Sequence, residues 1–214
     1  MAAHEISVPY FTARPVDAQP GGSGVVLIME GNGMSPQLLR VAQRLAHIGY
    51  TVVAPDLFHR FGGSHPTASL EEGWLSKLTD DDIVEDVNAA HAVLRSLGVD
   101  RIGITGFCMG GRISYLAAVR GVELACAAPF YGSGIGKLLD DASCPLHFFY
   151  GGEDPWIPAD EIARVEARYP GQVTVYPTAG HGFFRDGSEN YDAAAAADAW
   201  ERLQAFFAEH LGAD

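Results

Sequence analysis

Short uninterrupted apolar runs alternate along the chain with longer stretches in which apolar residues recur every three or four positions. The run over 24–29, Gly-Val-Val-Leu-Ile-Met, has the pattern of a strand covered on both faces. Behind it, Leu38, Val41, Leu45 and Ile48 fall on one side of a helix that Ser35-Pro36 opens and Gly49 closes. A second strand covers 51–54. Ile83, Val87, Ala90, Leu94 and Leu97 then line one side of a helix over 80–97. Further short strands are predicted over 102–105, 124–131, 145–150 and 172–176. Helices are predicted after 110, over 159–169 and over 191–211, the last with Ala196, Trp200, Leu203, Phe207 and Leu211 inward. A loosely alternating stretch at 4–11 reads as an edge strand, and the Pro- and Gly-bearing stretch 13–24 as the turn after it. Strands alternating with helices predict an α/β fold, a mostly parallel central sheet with helices on both faces, in one domain over 1–214. Residues 58–79 carry no period. They are expected to form a loop with a short helix near 70–78, of a length that suits a lid or pocket wall.

Composition narrows the function without naming it. The 214 residues are 48% hydrophobic and 19% charged, enough for a full core without disulfide or metal staples. The net charge of −13 disfavours a nucleic-acid or anionic membrane surface, though one arginine can still dominate a small pocket. Three cysteines, Cys108, Cys126 and Cys144, give no C-x-x-C spacing and no paired framework. The first residues lack a basic segment followed by an apolar one, and no apolar run reaches the ~18 residues of a membrane span. A reducing cytoplasm is the expected home. Neither a metal site nor a cofactor is predicted: the eight His form no H-x-x-x-H, Gly31-Asn-Gly33 lacks a phosphate fingerprint, and consecutive Asp80, Asp81 and Asp82 dress a helix start.

The chemistry gathers at strand ends. Gly106-Phe-Cys108-Met-Gly110 joins a predicted strand to a predicted helix, the layout of a nucleophile elbow with Cys in place of Ser. Its glycines are needed because a β-carbon at either flank would collide with the neighbouring strand or helix. A thiol at the head of a helix is favoured as thiolate. Glu30, Asp154 and His181 also follow predicted strands, so all four groups fall on one rim of the sheet. The order Cys108, Asp154, His181 is nucleophile, acid, base. His181 would take the thiol proton, Asp154 would fix its tautomer, and the N–H groups of Met109 and Gly31 would form an oxyanion hole. Glu153 competes with Asp154 for the acid's place. Glu30, facing the thiol, would keep it protonated and protected from oxidation.

These motifs resemble the dienelactone hydrolase (carboxymethylenebutenolidase) family of α/β-hydrolases. The carrying residues are Ile28-Met-Glu-Gly31, Ala54-Pro-Asp-Leu-Phe58, Gly106-Phe-Cys-Met-Gly-Gly111, Tyr131-Gly132, Gly151-Gly-Glu-Asp154 and Gly180-His-Gly-Phe-Phe-Arg185, spread over nearly the whole chain. The resemblance implies hydrolysis of enol-lactones through a Cys108–His181–Asp154 triad, with Glu30 taking the thiol proton as substrate arrives. It also makes Arg185 a binder of the substrate carboxylate, against an ion pair with Asp186 or Glu189. Tyr131 would line the pocket, and Trp156, Phe183 and Phe184 would serve either as apolar walls or as packing. The family's second substrate-binding arginine has no match: residues 61–80 hold only Lys77, and Arg60 lies earlier. The expected substrate is a small lactone or enol ester, with or without a carboxylate, and the expected assembly a monomer or small homo-oligomer. A broader carboxylesterase or thioesterase, and a non-catalytic or redox-sensing protein on the same fold, are the rival readings.

Overall fold

The computed structural model describes residues 8–18, 21–65 and 67–212. Seven strands form one sheet in the order β1-β3-β2-β4-β5-β6-β7. They are β1 (Tyr10–Ala13), β2 (Ser23–Ile28), β3 (Thr51–Pro55), β4 (Arg101–Phe107), β5 (Cys126–Phe130), β6 (Phe148–Gly151) and β7 (Val173–Tyr176). Only β1 runs antiparallel, at the edge beside β3. Every other neighbouring pair is parallel. The helices are α1 (Pro36–His47), α2 (Ala68–Glu71), α3 (Asp80–Ser96), α4 (Met109–Val119), α5 (Ala159–Arg168) and α6 (Ala193–Leu211).

Val25 to Ile28 and Val52 to Ala54 are fully buried, as continuous apolar runs require when both faces of a sheet are covered. Each such valine, leucine or isoleucine side chain contributes about 1.5–3 kcal/mol by leaving water. One face is covered by α3 and α4 in mutual contact, the other by α1 and by α6, which reaches β4 and β5. The predicted stripes are the buried ones: Leu38, Val41 and Leu45 on α1, and Ile83, Val87, Ala90 and Leu94 on α3. Ser35 caps α1 through the Leu38 N–H. Thr79 and Asp82 form a reciprocal capping box on α3, which accounts for part of the aspartate run there. Among the described residues no helix is long and apolar enough to cross a membrane.

The main departures from the sequence reading lie in three places. The edge strand begins at Tyr10 and ends at Ala13, and residues 4–7 of the predicted span lie outside the described residues. The strand expected over 145–150 starts at Phe148, with a single bridge at Leu146 before it. The helix expected near 70–78 is two pieces, α2 and a 3-10 turn at Trp74–Lys77, parted by Gly73 in the left-handed region (φ 61°).

The strand order sets where a ligand can enter. From β2 the chain moves outward to β3, then returns across β2 to β4 and continues the other way. The crevice beyond the carboxyl ends of β2 and β4 is therefore the topological switch point of the sheet.

Candidate active site

β4 ends in the elbow at that switch point. Cys108 has φ 55° and ψ −113°, a conformation that costs a non-glycine residue about 1–3 kcal/mol. The Cys108 N–H donates to the Phe130 carbonyl (3.0 Å), and its own carbonyl accepts from the N–H groups of Gly111 and Arg112 in the first turn of α4. The strain is tolerated because the flanks are glycine. A β-carbon on Gly110 would stand 2.5 Å from the Ile28 carbonyl oxygen, and one on Gly106 would stand 2.6 Å from that of Gly110. The helix head thus sits directly against the end of β2, and Cys108 at that junction is half-buried.

The other strand ends supply the partners. Asp154, after β6, is buried and accepts a 2.7 Å hydrogen bond from His181 Nδ1, after β7. Its second oxygen accepts from the Trp156 N–H at 2.8 Å. The neighbouring Glu153 is exposed, so Asp154 is the acid that meets the histidine. His181 Nε2 is buried without a hydrogen-bond partner among the described residues. Burial opposes charge on this imidazole. Its bond to Asp154, the nearby Cys108 and the negative charges of both outweigh burial and push its pKa up to about 9.

Glu30 lies just past β2, its side chain buried, with Oε2 3.5 Å from an Arg185 guanidinium nitrogen and lacking a hydrogen bond. Burial raises its pKa, against the opposing attraction of Arg185 and His181. Arg185 is therefore paired, but with Glu30 rather than with Asp186 or Glu189. Asp186 is held by Arg40 instead. The N–H groups of Gly31 and Met109 stand at the ends of β2 and β4, and no hydrogen bond among the described residues occupies either. Tyr131 closes the interior side, fully buried, at φ 35°, with its ring 5.1 Å from that of His181 and its hydroxyl unpartnered. Burial raises its pKa well above the usual tyrosine value, reinforced by Glu30 and Cys108, so it is a neutral O–H facing the same space.

Of the three aromatic residues left between wall and packing, Phe183 and Phe184 are buried core, Phe184 stacked on Phe107 at 5.1 Å. Trp156 is 64% exposed and its ring lies 4.3 Å from that of His181. The irregular segment walls the opposite side. Asp56 accepts bonds from the Ser64 N–H and hydroxyl, Ser64 Oγ accepts from the Met34 N–H, and Leu70 comes within 3.7 Å of the Cβ position of Gly31. Sequence patterning did not expose Ser64 and Asp56 as supports of the Gly31 loop, since neither belongs to a periodic element. Arg60 supplies no second substrate cation. It is taken up by buried Asp86 and by Glu85 and Asp82. Two surface hollows of about 780 and 600 Å³ lie elsewhere, and neither is lined by Cys108, His181, Asp154 or Glu30. No group of three potential metal ligands occurs among the described residues.

Comparison with known proteins gives a consistent assignment. Residues 9–211 match the description of the Dienelactone hydrolase family. An Escherichia coli K12 protein provisionally named carboxymethylenebutenolidase is 30% identical, the match covering 96% of this chain and 84% of that one. A Methylorubrum extorquens protein with the same provisional name is 31% identical over 95% and 77%. A crystal structure from Klebsiella pneumoniae, provisionally a dienelactone hydrolase, superposes with a TM-score of 0.85 at 29% identity, covering 94% of this chain and 93% of that one. A Thermogutta terrifontis esterase shares the fold at a TM-score of 0.69 and 18% identity, covering 97% and 91%.

Proposed function

The chain belongs to the dienelactone hydrolase family, a family of carboxylic ester hydrolases, and from this premise we propose that it cleaves lactones and enol esters through Cys108, His181 and Asp154. The observation that carries the reading is the Asp154–His181 bond, which leaves Nε2 unpartnered beside a cysteine held in an elbow. Such a constellation is recognised by geometry and roles rather than by spacing.

The charges give the order of events. Arg185 attracts Glu30 and makes it less basic. A substrate carboxylate that draws Arg185 to itself leaves Glu30 buried and uncompensated, so Glu30 becomes the stronger base and takes the Cys108 proton. The thiolate attacks the carbonyl carbon, and the N–H groups of Met109 and Gly31 receive the oxyanion. The bond to the leaving oxygen breaks, and that oxygen takes its proton from His181, which is well placed to carry one with a pKa near 9. His181, now neutral, removes a proton from water as the hydroxide attacks the acyl-thioester. The released thiolate recovers its proton from Glu30, and water has been divided between acid and alcohol.

A thiol nucleophile favours esters whose alcohols leave easily. With Arg60 committed to three carboxylates, Arg185 beside Glu30 is the cation assigned to a substrate carboxylate. Neutral activated esters therefore form a second substrate class, the broader esterase reading. Turnover of p-nitrophenyl acetate and of a dienelactone by the wild type and by Cys108→Ala tests the core of the proposal. Loss of both activities by at least a thousandfold is expected. Equal rates in the two proteins would end it.

A further inference from the structure

Trp156 has no packing reason to be where it is. Its indole is 64% exposed, in a chain that buries most of its large aromatic side chains, including the whole of Phe183 and Phe149. Leaving such a ring in water forgoes the stabilisation that burying it would give. Yet its position is fixed at three points. The Trp156 N–H donates to Asp154 Oδ1 at 2.8 Å, its carbonyl accepts from the Ser133 hydroxyl at 3.3 Å, and its ring lies 4.3 Å from the imidazole of His181, tilted by 50°. The main-chain bonds hold it to the triad's acid and to the loop after β5. The ring leans on the triad's base and keeps an open surface toward solvent.

We propose that Trp156 is the platform for the leaving group and makes this enzyme selective for esters of flat, conjugated alcohols, that is enols and phenols. The inference rests on the triad reading above. The leaving oxygen must come within hydrogen-bond reach of His181 Nε2 to receive its proton, so whatever it is attached to projects past the imidazole. The open indole beside that ring is what it meets there. An offset-stacked or edge-to-face contact between an indole and a flat conjugated group adds about 0.5–1.5 kcal/mol beyond the area it buries, which a branched or saturated group of the same acidity does not gain.

Two acetates separate this from simple leaving-group acidity: phenyl acetate and hexafluoroisopropyl acetate, whose alcohols are of similar acidity while only one is flat. kcat/KM for both is measured with the wild type, Trp156→Leu, Trp156→Phe and Cys108→Ala. Trp156→Leu is expected to lower the rate on phenyl acetate about threefold to tenfold and to leave hexafluoroisopropyl acetate within twofold, with Trp156→Phe restoring most of the difference. Equal losses on both esters would reduce Trp156 to a support of His181 and overturn the proposal. Unchanged rates on both would overturn it as well. In either case Cys108→Ala abolishing both activities keeps the triad, whereas a fully active Cys108→Ala removes the triad and the platform together.

Discussion

Glu30 is placed where it works against stability. Its carboxyl is buried with one oxygen lacking a hydrogen bond, and burial raises its pKa. A folded-state pKa above the unfolded value means that the folded protein binds the proton more tightly. Its penalty is therefore absent at low pH, where both states are protonated. The penalty grows as pH rises through the unfolded value near 4.5 and is complete above the folded one. Glu30→Gln should thus raise the melting temperature at neutral pH by about 2–4 °C for each kcal/mol relieved, and the gain should shrink toward zero by about pH 4. Arg185 loses its partner in this variant but is 40% exposed, so that loss is small. The same variant should lose activity on a carboxylated lactone, because glutamine takes no proton. A lower melting temperature at neutral pH would refute the assignment of Glu30 as a strained functional group. Residues such as Glu30, Cys108, Asp154 and His181 were legible in the sequence because each lies within a few residues past a strand's carboxyl end. The left-handed turn at Tyr131 and the placement of the Trp156 ring, named only as wall or packing, against His181 were not, since backbone strain at a non-glycine and ring placement leave no pattern in composition or period.

The elbow couples β2, β4 and α4, and its tolerance can be weighed in advance. Replacing a helical glycine by alanine ordinarily helps by about 1 kcal/mol through propensity. At Gly110 the new methyl would meet the Ile28 and Met29 carbonyl oxygens at 2.5 and 2.7 Å, and these belong to the chain leaving β2. Backbone there has no rotamer to change, so overpacking of about 1–3 kcal/mol or more prevails. Gly110→Ala should lower the melting temperature by about 2–10 °C. Gly180→Ala is the control. It has no positive φ and nothing nearer than 4.0 Å, so it should be neutral or slightly stabilising. Two indistinguishable melting curves would show that the switch-point crevice yields where close packing says it cannot. Elements with a regular period were the readable ones: α1, α3 and α6 bury most of the stripes expected of them, with Ile48, Leu97 and Trp200 only partly covered. The stretch 58–79 was not readable, because it is held by tertiary bonds. Asp56 grips Ser64, and buried Asp86 on α3 grips His59 and Arg60. Such bonds depend on where distant elements arrive.

Across the whole molecule, the alternation of strands and helices announced a parallel sheet but not its strand order. It is the order that places the chain reversal at β2 and β4 and so makes one crevice out of four separate strand ends. Net charge was legible in full, and its consequence belongs to this scale. With −13 spread over a particle of about 17 Å radius of gyration, an anionic substrate is repelled before it meets Arg185. The repulsion reaches far at low salt, where the Debye length is about 30 Å at 0.01 M, and is cut back when that length falls to about 10 Å at 0.1 M. Arg185 acts at contact, partly buried beside Glu30, and is screened less. Raising salt between these limits should therefore increase kcat/KM for a carboxylated ester by about threefold, and leave its neutral methyl ester unchanged. Arg185→Gln should lower the carboxylated rate at every salt while keeping the upward slope, since the slope comes from the distant charge. A rate that falls with salt in the wild type, and no longer does so in Arg185→Gln, would instead give the local cation control of substrate capture.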